Sequence, residues 1–186
     1  MKLLLAGGSG MVGSFITPYL QKEHDIRVLD LAESQHETVE FVKGSVTDAD
    51  AIKKAVDGID AFIWLVMLSP QGGSVTDQDL KVIRENYEVN CLGLHTFLWL
   101  AQGAGVSKGV YTSSMSVHHR ARNYYKNEDE LPLDTPSAYG LSKGFGERIC
   151  SYFASWFDMN ITALRITGPR GREAHLEERD HPITDR

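Results

Sequence analysis

The chain opens Met1-Lys-Leu-Leu-Leu-Ala-Gly-Gly-Ser-Gly-Met-Val-Gly13. Leu3 to Ala6 is an apolar run too short to cross a membrane and the right length for a buried parallel strand. Gly7, Gly10 and Gly13 follow, and a helical pattern starts directly behind them. Strand, glycine turn and helix together make the opening of a βαβ unit. In such a unit the bare backbone approaches a pyrophosphate, and the helix N-terminus supplies oriented N–H donors. The spacing is Gly-x-x-Gly-x-x-Gly rather than Gly-x-Gly-x-x-Gly, and by itself it also fits an ordinary strand-to-helix turn. The rest of the chain decides between the two.

Length and composition narrow the field. With 186 residues, 42% apolar and 24% charged, the sequence suits one soluble domain, residues 1–168, followed by a polar tail, 169–186. A net charge of −6 without a basic cluster excludes a nucleic-acid footprint. Cys91 and Cys150 are the only cysteines; both fall in apolar, helix-like stretches and read as free buried thiols of a reducing compartment. Met1-Lys2 leads into only four apolar residues, which is no secretory leader, so a cytoplasmic protein with no membrane partner is expected.

Strands and helices alternate from there on. A first helix is expected over Met11 to Lys22, with Val12, Phe15, Ile16 and Leu20 on the sheet and Pro18 loosening a turn. Ile26 to Leu29 is a second strand, closed by Asp30. A carboxylate there accepts both ribose hydroxyls of an adenosine and repels a 2′-phosphate, and no arginine follows it, so NAD is favoured over NADP. Val39 to Val42 is a third strand. Thr47 is expected to cap a short helix, Asp48 to Val56, and Asp60 to Val66 is a continuous apolar strand. The glycine-rich loop Ser69 to Thr76 follows. A single long amphipathic helix is expected over Leu80 to Ala104, with an apolar band wider than a sheet alone would cover. Gly109 to Ser113 is the fifth strand, residues 118–136 are polar and irregular, and Ser137 can cap a helix from Ala138 to Phe157. Asn160 to Ile166 is the sixth strand. Trp64 and Trp99 read as core. Adjacent side chains diverge, so His118-His119 make a poor metal site. Arg120 and Arg122 read as solvated loop charges rather than a substrate clamp.

Tyr139 and Lys143 lie four apart on one expected helix, so their side chains share a face. A phenol titrates near pH ~10 in water, and a neighbouring ammonium lowers that by stabilising the phenolate. The pair can then take a proton from a substrate hydroxyl as hydride leaves the same carbon. A hydroxyl from Ser114, at the end of the fifth strand, can hold the substrate oxygen against Tyr139.

These residues, in this order, resemble the extended short-chain dehydrogenase/reductases, the NAD-dependent epimerase/dehydratase family acting mostly on sugars and nucleotide sugars. Gly7 to Gly13 resembles that family's cofactor loop and Asp30 its ribose-binding acid. Asn90-Cys-Leu-Gly93 resembles its Asn-x-x-Gly, and Val110 to Val117 the strand bearing its catalytic serine, here Ser114. Tyr139-Gly-Leu-Ser-Lys143 is similar to its Tyr-x-x-x-Lys, and Leu164 to Pro169 to the segment closing the sixth strand. The resemblance implies a doubly wound parallel sheet, α/β and Rossmann-like, in the order 3-2-1-4-5-6. It implies an NAD site formed by Gly7, Gly10, Met11, Val12, Asp30, Ser45, Val46, Leu65, Val66, Met67, Asn90, Tyr139, Lys143 and Ile166, with Ser114, Tyr139 and Lys143 catalytic and no metal.

The departures are specific. Ser45 stands where the family usually has an aspartate facing adenine. Val66 and Met67 replace small residues beside the cofactor. His118-His119 replaces the usual Tyr-Gly, and the family's C-terminal substrate subdomain is expected to be missing from residues 1–186. The expected function is NAD-dependent oxidation of a sugar, sugar acid or nucleotide sugar, leaning towards uronate and aldose dehydrogenases. The alternatives are an epimerase or reductase, or an NAD-binding module without turnover. The resemblance also implies a homodimer through helices 80–104 and 138–157.

Overall fold

The computed structural model describes residues 1–68, 78–119 and 132–169. Six parallel strands form one sheet in the order β3-β2-β1-β4-β5-β6. They are β1 (Lys2–Ala6), β2 (Asp25–Asp30), β3 (Glu40–Lys43), β4 (Ala61–Trp64), β5 (Lys108–Ser114) and β6 (Asn160–Ile166). The helices are α1 (Met11–Leu20), α2 (Ala49–Val56), α3 (Leu80–Tyr87), α4 (Leu94–Gly103) and α5 (Ala138–Phe157). The expected strand order holds. The glycine-rich loop Ser69 to Thr76, Arg120, Arg122 and most of the polar tail lie outside the described residues.

Alternation along the central strand builds a core on each side. Leu4 and Ala6 of β1 pack in the larger cluster with Ile52, Trp64, Phe97, Leu98, Tyr111 and Phe153, whereas Leu3 and Leu5 join Ile26 and Val28 in a smaller one. Strands buried on both faces are what parallel sheets require, and the near-continuous apolar runs of β1 and β4 follow from that. The two outer strands depart from it: no residue of β3 is fully buried, and β6 goes further. Thr162, Ala163 and Leu164 are all exposed, so both faces of its middle stand open, and among the described residues it pairs with β5 alone.

Local expectations changed in four places. The stretch from Leu80 to Ala104 is not one α-helix: a π-helical segment, Glu88–Gly93, separates α3 from α4. The wider turn resets the phase, so Asn86, Asn90, Gly93 and Leu94 turn inwards while Leu92 and Trp99 face out, Trp99 being 53% exposed rather than core. The inward face of α1 is Gly13 and Thr17, with Phe15 exposed. Pro18 has no N–H for the Ser14 carbonyl, and His36 Nε2 lies 3.2 Å from that oxygen instead. The cap of α2 is Asp48, whose carboxylate accepts the Asp50 and Ala51 amides, while Thr47 turns back onto the Ser45 hydroxyl. A charged acceptor at a helix N-terminus outcompetes a hydroxyl one residue earlier. Ser137 caps α5 as expected, accepting from the Gly140 amide.

Candidate functional site

A cavity of about 630 Å³ runs along the C-terminal ends of β1, β2, β4 and β5. In an open parallel sheet this edge, where the chain order reverses between β1 and β4, is the ligand position. At its centre β1 turns into α1. Gly7 holds φ +80° there, and a Cβ on it would lie 2.7 Å from the Val66 amide, so only glycine lets the turn and the end of β4 approach. Gly10 begins α1 with no side chain capping the helix and no acid in its first turn, which leaves N–H groups of that turn for an external acceptor.

Asp30 closes β2 beside that turn. Its Oδ2 accepts the Ser9 amide at 3.0 Å and its Oδ1 the Ala32 amide at 3.2 Å, so the carboxylate is fixed while each oxygen keeps acceptor capacity towards the cavity. Ser9 also donates its hydroxyl to Ala32 O at 2.7 Å, clipping the glycine turn to the chain after β2. Ser45 and Val46 line the same end, the Ser45 hydroxyl being 2.8 Å from Thr47 Oγ1.

At the other end stand Ser114, Tyr139 and Lys143, all in the cavity wall with Gly7, Gly10, Met11, Val12, Leu65, Val66, Met67 and Ile166. Asn90 is the exception among the expected residues. It is 1% exposed and does not reach the cavity. Its carboxamide instead accepts the Leu68 amide at 2.9 Å and donates to Leu68 O at 3.1 Å and Ser142 Oγ at 3.0 Å. The inward-turning π segment explains the difference, because it points Asn90 at the backbone beyond β4 rather than at the cleft. Leu68, Thr112, Ser116 and Thr167–Pro169 line the cavity without having been singled out, and Thr112 acts through a backbone carbonyl that residue type does not reveal.

The electrostatics differ from the simple Tyr–Lys expectation. Burial pushes the Tyr139 phenol up, and a hydrogen bond with the Ser114 side chain works against that without overcoming it. The phenol donates to the Met67 sulfur at 3.8 Å. Lys143 is 2% exposed, and its ammonium donates to Thr112 O at 2.7 Å and Val66 O at 3.4 Å. Burial pulls it down to about 8, with Cys150 and Cys91 acting weakly the other way. An ammonium costs free energy to bury, so a lysine depressed below its unfolded value of 10.5 opposes folding while charged. Native protein then loses its proton before the unfolded chain does, and stability rises with pH above about 8. Urea unfolding is expected to show this as a gain of about 1 kcal/mol between roughly pH 7 and pH 9. Lys143→Met is expected to lack it.

Cys91 and Cys150 are free thiols, pushed up by burial to about 11 and about 12. His118 is buried with Nδ1 3.1 Å from Pro132 O, and among the described residues no cluster of potential metal ligands forms.

The family model that matches residues 3–185 is described as the NAD dependent epimerase/dehydratase family. The chain is 37% identical over 137 residues to a 3 beta-hydroxysteroid dehydrogenase/Delta 5-->4-isomerase of Mycobacterium tuberculosis, covering 70% of this chain and 36% of that protein. It is 27% identical over 175 residues to a uronate dehydrogenase of Pseudomonas syringae, covering 89% and 58% respectively. A short-chain dehydrogenase/reductase superfamily protein from Agrobacterium tumefaciens, solved with bound NAD, superposes with a TM-score of 0.78 at 27% identity, covering 89% of this chain and 48% of that one. The chain thus spans between about a third and three fifths of the length of these relatives.

Proposed function

The chain belongs to the NAD-dependent epimerase/dehydratase family, and we propose that it binds NAD along the strand ends and carries the Ser114–Tyr139–Lys143 end of a hydride-transfer site acting on a hydroxyl of a sugar, sugar acid or nucleotide sugar. The supporting observation is that the glycine turn, Asp30 and the three side chains on β5 and α5 share one cavity. The residues suit the cofactor: a bare α1 N-terminus for its diphosphate, a fixed Asp30 carboxylate for its ribose hydroxyls, and Lys143 for the second ribose. Bound NAD supplies a hydride acceptor. Ser114 then holds the substrate oxygen, Tyr139 takes its proton, and Lys143 offsets the phenolate charge. Domain 1–168 is the cofactor-binding unit in this reading, and two free thiols, Cys150 buried and Cys91 half-buried, suit a cytoplasmic setting.

The test is binding of NAD against NADP by calorimetry, then NADH formation with a panel of sugars, uronic acids, nucleotide sugars and 3β-hydroxysteroids. Tighter NAD binding with turnover of one sugar class supports the reading. No binding of either dinucleotide overturns it, and turnover of the steroids alone overturns the substrate class.

A second reading, an NAD-binding module without turnover, is favoured by one observation. The Tyr139 hydroxyl rests on the Met67 sulfur with its proton held more tightly than in water. Micromolar NAD binding with no NADH from any substrate would select it.

The exposed aromatic face formed by Trp99 on α4 and Phe145, Tyr152 and Trp156 on α5 suits a second copy of the chain, with Trp156 76% exposed. A dimeric mass in light scattering, reduced to monomer by Trp156→Glu without loss of helical signal, is expected. A monomer at all concentrations counts against the dimer.

A further inference from the structure

Among the described residues, Lys143 is a buried cation without a carboxylate counterion. An ammonium offers three N–H donors; two meet the Thr112 and Val66 carbonyls, and the Tyr111 ring lies beneath with its centroid 5.0 Å from Nζ. Carbonyl dipoles and an aromatic face hold the charge without cancelling it.

A carboxylate that could cancel it is close by in sequence. Glu147 follows Lys143 by four residues on α5, the spacing at which opposite charges pair on a helix. It is drawn away instead. Arg165 Nε reaches Glu147 Oε1 at 2.9 Å and Arg165 Nη2 reaches Oε2 at 2.9 Å, while the Ser113 hydroxyl donates to Oε1 at 2.6 Å. Ser113 and Arg165 are register partners on β5 and β6, so their side chains leave the same face of the sheet and meet Glu147 together. A guanidinium fork matches a carboxylate with two parallel bonds and leaves it little freedom to turn towards a rival cation.

We propose that Arg165 is a positioning residue for Lys143: by taking both oxygens of Glu147 it keeps that carboxylate from neutralising the buried ammonium, so the charge of Lys143 acts outwards on Tyr139 and on the bound dinucleotide. The proposal rests on the preceding reading that Tyr139 and Lys143 carry the reaction. The described ionisable groups around this pair are Tyr111 from β5, Cys91 from the π segment, and Tyr139 and Cys150 from α5 itself. Arg165 and His118 act on Glu147, and both hold its carboxyl in the ionised form. Among the described residues, no carboxylate acts on Lys143 in this arrangement.

The experiment compares Arg165→Gln, Arg165→Lys and the double variant Arg165→Gln/Glu147→Gln. Two measurements are made on each: the titration of Lys143 by NMR of Cε-labelled lysine, assigned through the signal lost in Lys143→Arg, and NAD affinity as a function of pH. In Arg165→Gln the released Glu147 raises the Lys143 midpoint from about 8 by about one to two units and weakens NAD binding by about tenfold. Arg165→Lys keeps the midpoint near that of the parent protein. The double variant returns both quantities towards it, although it also lacks the Arg–Glu pair, and a merely structural loss cannot be repaired by a second removal. An unchanged Lys143 midpoint in Arg165→Gln, or a double variant no better than the single one, overturns the proposal. If the lysine midpoint moves and returns as expected while no variant or parent binds NAD, the positioning role stands and the functional reading falls.

Discussion

Changing Tyr139 to Phe is expected to lower NAD-linked oxidation by about three orders of magnitude while leaving NAD affinity nearly unchanged. The substitution removes one oxygen, whose side-chain partners among the described residues are the Met67 sulfur and the Ser114 hydroxyl. Nothing structural depends on it, so the loss falls on the proton-transfer step. Burial holds the phenol above its ordinary value, so the parent rate should still be climbing with pH above neutrality. Stopped-flow absorbance of NADH across a pH series measures both points. Equal rates for the two proteins would take Tyr139 out of the chemistry.

The second large effect concerns stability. Gly13→Ala is expected to cost about 3 kcal/mol and lower the melting temperature by about 10 °C. A Cβ at Gly13 would sit on the backbone of Gly8, against its carbonyl oxygen, carbonyl carbon and Cα, and backbone cannot step aside as a side-chain tip can. Thr17 also donates its hydroxyl to Gly13 O at 2.7 Å, holding this face of α1 against the turn. Gly10→Ala is the control: its Cβ would meet only Gly7 O, at 3.4 Å, so it should melt near the parent temperature yet bind NAD more weakly, because it narrows the approach to the helix N-terminus. Scanning calorimetry and NAD titration of both variants separate a turn that supports the fold from one that receives a ligand.

The parts of this fold legible in the sequence are those that depend on period and punctuation. Continuous apolar strands, the glycine turn and the Ser137 cap each leave a local mark, and their alternation with helices fixes a parallel sheet. The π segment left none, because an extra residue within a turn changes the phase without changing the composition. Trp99 and Phe15 were misread on that account or from hydrophobicity alone, and both depend on which face a helix presents to its neighbours. At the candidate site, Asp30, Ser114, Tyr139 and Lys143 were legible from type and order. The environment of Tyr139 was not, since a phenol's proton affinity depends on burial and on where the lysine's donors go, and those are set by the Thr112 and Val66 carbonyls. Glu147 and Arg165 lie on different elements, and only the packing of α5 over the paired strands β5 and β6 brings them together.

That pairing leaves β6 with one satisfied side. Its far edge presents unpaired backbone donors and acceptors among the described residues, and Leu164 adds an uncovered apolar side chain beside them. A strand open at its edge and on both faces is a template for intermolecular strand addition, and no proline or bulge blunts it. Self-association through such an edge grows with protein concentration, so dilution rather than cooling is the way to keep preparations of this chain monodisperse.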